Sequence, residues 1–242
     1  MVRGFGGKRL TMFMSKTLPR VPYNCYRYLY PVRAHQAHSP QDLPKYDDGT
    51  YFAQVKFNGS NTLIFTNGED LRIMNRHREE RNIKAYTELQ TSAINLHRGS
   101  GWMVLNGEYM DKSKKDAGGN VFKGFIIYDL LAFSGEILTG TSFLKRYAML
   151  QNAFSDVLPN DTTSDHPHAP FTKLISPNLN NCYLANNYHT DFMQLYKEFV
   201  AVDMYEGFVL KRKDAILLPP YTEHINDKSS IKFRKPTLNY QF

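Results

Sequence analysis

The chain has 242 residues, 42% of them apolar and 22% charged, with a formal net charge of +7. This composition is sufficient for a sizeable buried core in one large domain or two small ones. No stretch approaches 18 consecutive apolar residues, which argues against a membrane-spanning helix. Cys25 and Cys182 are too few for a disulfide framework or a cysteine-based zinc site, so we expect an intracellular, reducing setting.

The N-terminal 44 residues differ in charge from the rest of the chain. No acidic residue precedes Asp42, whereas lysine and arginine recur and are followed by Tyr23, Tyr26, Tyr28 and Tyr30. Arginine neutralises phosphate and aromatic rings stack on bases, so this composition favours a nucleic-acid partner. A solvated terminus and a mitochondrial presequence are the alternatives. We therefore predict a basic arm and linker over residues 1–44 and a main domain over residues 45–242. We expect the protein to be cytoplasmic, or encoded by a phage or virus and active in the host cytoplasm, with a mitochondrial location as the alternative.

The main domain begins with a strand-rich region. Alternating apolar residues predict strands over 51–57, 62–66 and 71–74, and the Asn67-Gly68 pair predicts a tight turn between the last two. We expect these strands to form an antiparallel meander. Apolar residues at helical spacing then predict a helix over residues 83–97.

Further elements follow with clearer apolar patterns. Their composition and spacing predict strands over 102–110, 122–133, 205–211 and 229–235, and helices over 143–154 and 191–202. Between them lies a polar loop at 158–170. Asp165, His166 and His168 in this loop offer a metal site, although a solvated loop is the more frequent role of such a sequence.

Polar residues interrupt several of these apolar strands. Because a buried polar group needs a partner, such interruptions mark positions where function is concentrated. One of them, Lys56-Phe-Asn-Gly59-Ser-Asn61, places a lysine at the end of a strand and a glycine three residues later. The same Lys-x-x-Gly spelling occurs at Lys115 in a polar loop, so the pattern alone also describes an ordinary charged turn.

The ordered series of these interruptions resembles the covalent nucleotidyltransferase superfamily, which comprises ATP-dependent RNA and DNA ligases and mRNA capping enzymes. The resemblance extends over about residues 51–236 and is greatest to the RNA ligase 2 branch, which includes the RNA-editing ligases. In that branch Lys-x-x-Gly-x-Asn is the first motif, and Asn61 fills its last position. Asn58 stands where the branch commonly has histidine.

The resemblance implies a role for each matching residue. Lys56 would be the nucleophile that takes AMP from ATP, Lys232 and Arg234 would contact the α-phosphate, and Glu206 would organise Mg²⁺ or Mn²⁺ through water. The residues implied in nucleotide binding are Gly59, Asn61, Arg76, Glu108, Tyr128 and Lys211. Arg72 and Arg78 lie close enough to Arg76 in sequence to be alternatives to it.

Physical reasoning gives part of this assignment independently. Lys232 and Arg234 are two residues apart on a predicted strand and therefore share a face, which suits binding of one phosphate. Nearby cations disfavour the ammonium form of a lysine and so favour a nucleophilic amine. The structural alternatives are a solvated basic strand for this pair and a core tyrosine for Tyr128.

Taken together, these features predict an α+β fold of two antiparallel β-sheets flanked by helices, with ATP in the groove between them and no C-terminal OB domain. The expected reaction joins RNA 5′-phosphate and 3′-hydroxyl ends through a lysyl-AMP intermediate, and the basic arm or an accessory protein would replace the OB domain. A DNA ligase, a capping guanylyltransferase and a non-catalytic RNA-binding protein on a ligase fold are the alternatives.

Overall fold

A large and a small β-sheet organise the chain in a computed structural model that describes residues 20–81, 87–111, 114–159, 169–221, 223 and 226–236. The large sheet contains β1 (Val21–Pro22), β4 (Ser60–Thr66), β5 (Leu71–Asn75), β6 (Met103–Tyr109), β7 (Phe125–Phe133), β8 (Glu136–Ile137), β9 (Phe171–Lys173) and β10 (Cys182–Ala185). The small sheet contains β2 (Arg33–His38), β3 (Tyr51–Phe57), β11 (Tyr205–Arg212) and β12 (Asn226–Arg234).

The strand order places the two sheets around two hydrophobic cores. The large sheet runs β1-β8-β7-β6-β4-β5, with β10 joined to β7 and β9, and the small sheet runs β2-β12-β11-β3. Leu63, Leu105 and Leu130 belong to the core of the large sheet, and Val55, Phe208 and Phe233 to that of the small sheet. These sheets confirm the predicted α+β architecture.

The pairing differs from the prediction of purely antiparallel sheets. One pair in each sheet is parallel: β10 with β7, and β12 with β2. Apolar patterning identifies a strand but not the direction of its neighbour, because side chains alternate between faces in both arrangements.

The predicted meander of the first three strands is wrong at its first connection. β4 and β5 form the expected hairpin, but β3 pairs with β11 in the small sheet and β4 pairs with β6 in the large one. The chain therefore changes sheets at Asn58-Gly59. A Cβ at Gly59 would lie 2.5 Å from the Tyr109 carbonyl oxygen, so this crossing requires glycine.

The region predicted as arm and linker contributes to both sheets in its described part. Within residues 33–46, Arg33–His38 is the edge strand of the small sheet and Pro40–Tyr46 is a 3₁₀ helix. Tyr23 and Tyr28 are buried in the core of the large sheet, with 1% and 8% of their surface exposed. These two rings therefore stabilise the fold and do not provide a surface for bases. Residues 1–19 lie outside the described residues.

In the described part of the chain, three α-helices pack on the sheets: α1 (Thr87–Ile94), α2 (Phe143–Ala153) and α3 (Phe192–Val200). Helix α2 begins at Ser142, whose hydroxyl accepts a hydrogen bond from the Lys145 amide. Helix α3 buries one apolar face, as its spacing predicts. Only part of the first predicted helix is described, and the loop with Asp165, His166 and His168 lies outside the described residues. Within the described part of the chain, no helix is long and apolar enough to cross a membrane.

Candidate active site

A groove of about 580 Å³ lies between the two sheets and receives side chains from both. Its walls come from β3, β11 and β12 on one side and from β4, β6 and β7 on the other. Every residue for which the sequence predicted a site role lines this groove: Lys56, Gly59, Asn61, Arg76, Glu108, Tyr128, Glu206, Lys211, Lys232 and Arg234.

Strand register in the small sheet aligns the basic residues. Gly207 on β11 is paired with Lys56 on β3 and with Arg234 on β12, and the next row aligns Gln54, Val209 and Lys232. Gly207 has φ +134°, and a Cβ there would lie 1.9 Å from the Phe233 carbonyl oxygen. The missing side chain at this position leaves space between Lys56 and Arg234.

An ion pair connects the candidate nucleophile to the acidic residue on β11. Lys56 Nζ contacts Glu206 Oε2, and the Arg234 Nε atom is 4.0 Å from the same oxygen. The Lys56 and Glu206 side chains are 20% and 28% exposed, so the pair is partly shielded but remains accessible from the groove.

Lys232 lies in the same row of cations. Burial lowers its pKa below that of an ordinary lysine, and the positive charges of Arg234 and Lys56 lower it further. The like charges of Lys232, Arg234 and Lys56 repel one another. A phosphate group entering the groove would relieve this repulsion.

Asn61 connects the two strands of the opposite wall. Its Nδ2 donates to Asn106 Oδ1 at 2.9 Å, to the Gly107 carbonyl at 3.2 Å and to the Tyr128 hydroxyl. Its buried Oδ1 makes no hydrogen bond to any described residue. An unsatisfied buried acceptor is costly, so this oxygen is available to a donor group of a ligand.

Tyr128 and Lys211 form the inner end of the groove. Lys211 Nζ lies 4.8 Å from the centre of the Tyr128 ring and 4.5 Å from that of Phe143. Burial lowers the pKa of Lys211 to about 8, although the negative charge of Asp129 opposes this effect. Burial raises the pKa of the Tyr128 hydroxyl well above its usual value, so Tyr128 is a neutral hydrogen-bonding group.

Asp129 and Arg146 support this inner end from behind. Arg146 Nε and Nη2 donate to the two carboxylate oxygens of Asp129, each at 2.9 Å. Burial raises the pKa of Asp129, but the positive charge and hydrogen bonds of Arg146 outweigh burial and hold it below the ordinary value. This pair joins α2 to β7, and Arg146 also donates to the Thr141 carbonyl, just before α2, at 2.7 Å.

The arginines on and after β5 have separate surroundings. Arg76 is exposed and lines the groove, whereas the Arg72 guanidinium lies 4.5 Å from the Tyr26 ring centre. Arg81, which sequence reasoning did not select, also lines the groove and donates to the Asn61 carbonyl at 3.2 Å and to Asp111 at 3.2 Å. It orders the start of β4.

Other groove residues were also missed by sequence reasoning: Arg33, Gln54, His77, Asp227 and Ser230. Gln54 was detectable, because a glutamine in an otherwise apolar strand is a polar interruption. Arg33 and Asp227 lie at strand ends and His77 in a turn, where a polar residue is ordinary, and Ser230 lies in the polar first half of β12.

The metal-binding capacity of the groove is limited to isolated carboxylates. Among the residues that the structure describes, no three His, Cys, Asp or Glu side chains converge on one point. Glu206 and Glu108 line the groove from opposite sheets. This donor set suits Mg²⁺, which usually takes one or two carboxylates, several waters and the phosphates of a substrate.

Comparison with solved structures identifies the fold. The ligase domain of M. tuberculosis LigD superposes with a TM-score of 0.58 at 19% identity, covering 85% of this chain and 60% of that one. A mycobacterial DNA ligase D complexed with ATP and MES gives 0.55 at 18% identity, with the same coverages. No protein-family model and no curated protein matches the sequence. The chain thus has the fold of these two ligase structures and spans about 60% of their length.

Proposed function

We propose that the protein is an ATP-dependent RNA ligase that joins a 5′-phosphate to a 3′-hydroxyl through a covalent lysyl-AMP intermediate. The observation that carries this proposal is the position of Lys56. Its amine contacts Glu206 at the floor of a groove between two sheets, beside Arg234 and in the same cationic patch as Lys232.

In the first step Lys56 attacks ATP. The lone pair of Nζ forms a bond to the α-phosphorus, the bond from that phosphorus to the β-phosphate oxygen breaks, and pyrophosphate leaves with the electron pair. The Lys56 ammonium loses one proton to become the attacking amine and a second as the phosphorus–nitrogen bond forms. The Glu206 carboxylate in contact with it accepts one of them, and solvent takes the other. Lys232 and Arg234 are positioned to stabilise the charge that develops on the α-phosphate oxygens.

The two later steps transfer AMP and then displace it. An oxygen of the RNA 5′-phosphate attacks the α-phosphorus, and the phosphorus–nitrogen bond to Lys56 breaks. The 3′-hydroxyl of the other RNA end then attacks the activated 5′-phosphorus, and AMP leaves. The same cations serve each step, because each displacement builds negative charge at a phosphorus near Lys56.

The opposite wall supplies groups for the nucleoside. The unpaired Asn61 Oδ1 is an acceptor for an amino or hydroxyl group, and the Tyr128 ring provides an aromatic surface for the base. Glu108 on β6 is the acidic group on this wall for the ribose. Mg²⁺ or Mn²⁺ would be held by Glu206 through water and by the phosphates, and it would neutralise phosphate charge.

The RNA preference rests on the motif that ends at Asn61, whereas the solved ligase structures with this fold favour DNA as the second candidate substrate. Nicked duplexes that differ only in the sugar at the 3′-hydroxyl end distinguish the two. An RNA ligase seals the ribonucleotide end faster. Faster sealing of the deoxyribonucleotide end would instead identify a DNA ligase. The basic residues before Asp42, or an accessory protein, are proposed to help hold the strand.

The chemistry is tested by covalent labelling. The protein is incubated with Mg²⁺ and α-labelled ATP or GTP, denatured, and examined for bound label. We expect label from ATP in the wild type and in Lys115→Ala, which removes the other Lys-x-x-Gly lysine, and none in Lys56→Ala. Label from GTP alone would indicate a capping guanylyltransferase, and no label from either nucleotide would indicate a non-catalytic protein.

A further inference from the structure

Asn58 lies next to the ion pair of Lys56 and Glu206 and has a charged group on each side. One terminal atom of its amide is 3.1 Å from Glu206 Oε1, and the other is 3.2 Å from Lys114 Nζ. A carboxylate only accepts hydrogen bonds and an ammonium only donates them. The amide nitrogen must therefore donate to Glu206, and the amide oxygen must accept from Lys114.

Lys114 reaches this position from a short hairpin in which Lys115 pairs with Val121. The hairpin is fixed to the turn before β11, because Met204 N donates to the Lys115 carbonyl at 3.1 Å. The backbone N–H of Asn58 donates to the Met204 carbonyl at 2.9 Å. The hairpin, the turn before β11 and the segment at Asn58 therefore form one hydrogen-bonded unit. The sequence predicted only a polar loop here.

Acidic and basic side chains of this unit form a chain of contacts, with the neutral Asn58 amide in the middle. Asp203 pairs with Lys114 at 3.1 Å, Lys114 contacts Asn58, Asn58 contacts Glu206, and Glu206 contacts Lys56. Lys114 does not belong to the residues that line the groove, whereas Glu206 and Lys56 do. The contacts that connect Lys114 to the groove run through Asn58.

From these contacts we propose that Lys114 is a positioning residue, which orients the Asn58 amide so that its nitrogen holds Glu206 in place beside Lys56. The inference rests on the proposed function only for its consequence in catalysis. With Lys114 present, Glu206 Oε1 is occupied by Asn58 and Oε2 faces Lys56. Without it, the amide is free to turn, and Glu206 loses both its donor and its fixed direction.

The consequence for Lys56 has a defined sign. If Glu206 loses its fixed direction, its carboxylate no longer covers the Lys56 amine, and the amine becomes more accessible to a reagent in the groove. The charged residues that line the groove with Lys56 include Lys232, Arg234, Arg33, Arg76 and Glu108, and none of them changes in the test.

The first test measures the amine without any nucleotide. Lys56 is acylated with N-hydroxysuccinimide acetate at one fixed pH, and the time profile of its modification is followed by peptide mass spectrometry. In Lys114→Met we expect the profile of Lys56 to be about threefold faster, as for the loss of one partly exposed ion pair. Lys115→Met removes the same charge from the same hairpin, and we expect it to leave the profile unchanged. Equal profiles for Lys114→Met and the wild type would overturn the proposal.

The second test uses the adenylylation rate in a double-mutant cycle with Asn58→Ala. We expect Lys114→Met to lower the rate about tenfold at neutral pH, and to lower it no further when Asn58→Ala is already present. Independent, multiplicative losses would show that Lys114 does not act through Asn58 and would contradict the inference. Thermal unfolding of each variant identifies losses that come from misfolding.

The two tests separate this inference from the proposed function. A faster acylation profile in Lys114→Met, in a protein that takes no label from ATP, would support the role of Lys114 and reject the ligase. Labelling of the wild type together with an unchanged profile and multiplicative losses would support the ligase and reject the role of Lys114.

Discussion

Three arginines, Arg72 on β5 and Arg76 and Arg78 in the turn after it, differ in what surrounds them. Arg76 lines the groove, Arg72 lies over the Tyr26 ring, and Arg78 adopts a positive φ of 67° in the exposed turn. Only Arg76 of the three lines the wall that faces Lys56. The spacing in the sequence selected Arg76, and its contact with a nucleotide stays a prediction.

We predict that Arg76→Ala lowers the initial rate of labelling by ATP about tenfold or more, because one cation is lost where phosphate charge develops. Arg72→Ala is the matched control, since it removes the same charge from a side chain stacked on Tyr26 outside the groove. Its rate should stay within about twofold of the wild type. Equal losses in the two variants would mean that general surface charge, rather than a contact in the groove, explains the effect.

Lys211 makes the free energy of unfolding change with pH in the alkaline range. Its pKa is about 8 in the folded protein, and that of an unfolded lysine is about 10.4. Between these values the unfolded chain binds more protons than the folded one, so the contribution of Lys211 to the unfolding free energy increases as the pH rises from about 8 to about 10.4. Below pH 8 its ammonium form is destabilising, because it is buried.

We predict that Lys211→Met removes this alkaline gain in stability. Urea unfolding at pH 7 and pH 9.5 measures it: the wild type should gain stability relative to Lys211→Met between the two values. Lys123→Met, at an exposed lysine, is the control and should follow the wild type at both. A wild type that loses stability relative to Lys211→Met at the higher pH would reverse the sign and refute the assignment.

Strand β11 is the element that brings Lys56 and Arg234 together. It lies between β3 and β12. At Gly207 its backbone comes so close to β12 that a Cβ would lie 1.9 Å from the Phe233 carbonyl oxygen. We predict that Gly207→Ala lowers the free energy of unfolding by about 3 kcal/mol or more, since the new Cβ meets the Phe233 carbonyl in a backbone conformation unfavourable for alanine. Chemical denaturation measures the loss.

Gly119→Ala is the matched control for this substitution. Gly119 also has a positive φ, of +80°, but a Cβ there would meet no atom within 4 Å. Its cost should be only about 1 kcal/mol, from backbone strain alone. If the two substitutions cost the same, the close contact between β11 and β12 is not what demands glycine at position 207.

The elements show where sequence reasoning succeeds and where it stops. The strand Tyr51–Phe57 and the hairpin at Asn67-Gly68 follow from local patterns, and the structure has both. The change of sheets at Gly59 was not predictable from those patterns, because strand alternation does not specify a partner. Lys114 was missed because it reaches Asn58 through folding, without any local motif.

At the scale of the molecule, the proposed chemistry depends on how the two sheets face each other. Lys56 and Asn61 are only five positions apart, yet they belong to opposite walls of the groove. Polar contacts link the walls at the inner end: Gln54 Nε2 donates to the Tyr128 carbonyl at 3.4 Å, and Lys211 Nζ donates to the same oxygen at 3.5 Å. These contacts hold the two walls of the groove at a fixed separation where a nucleotide would bind.

The central claim is that Lys56, in this groove, is the residue that becomes covalently bound to AMP. The most direct measurement is peptide mapping of the wild-type protein after incubation with ATP and Mg²⁺, under alkaline conditions that preserve a phosphorus–nitrogen bond. The account predicts AMP on the peptide that contains Lys56 and on no other lysine peptide. AMP on the peptide of Lys115, of Lys211 or of Lys232, with Lys56 unmodified, would contradict it.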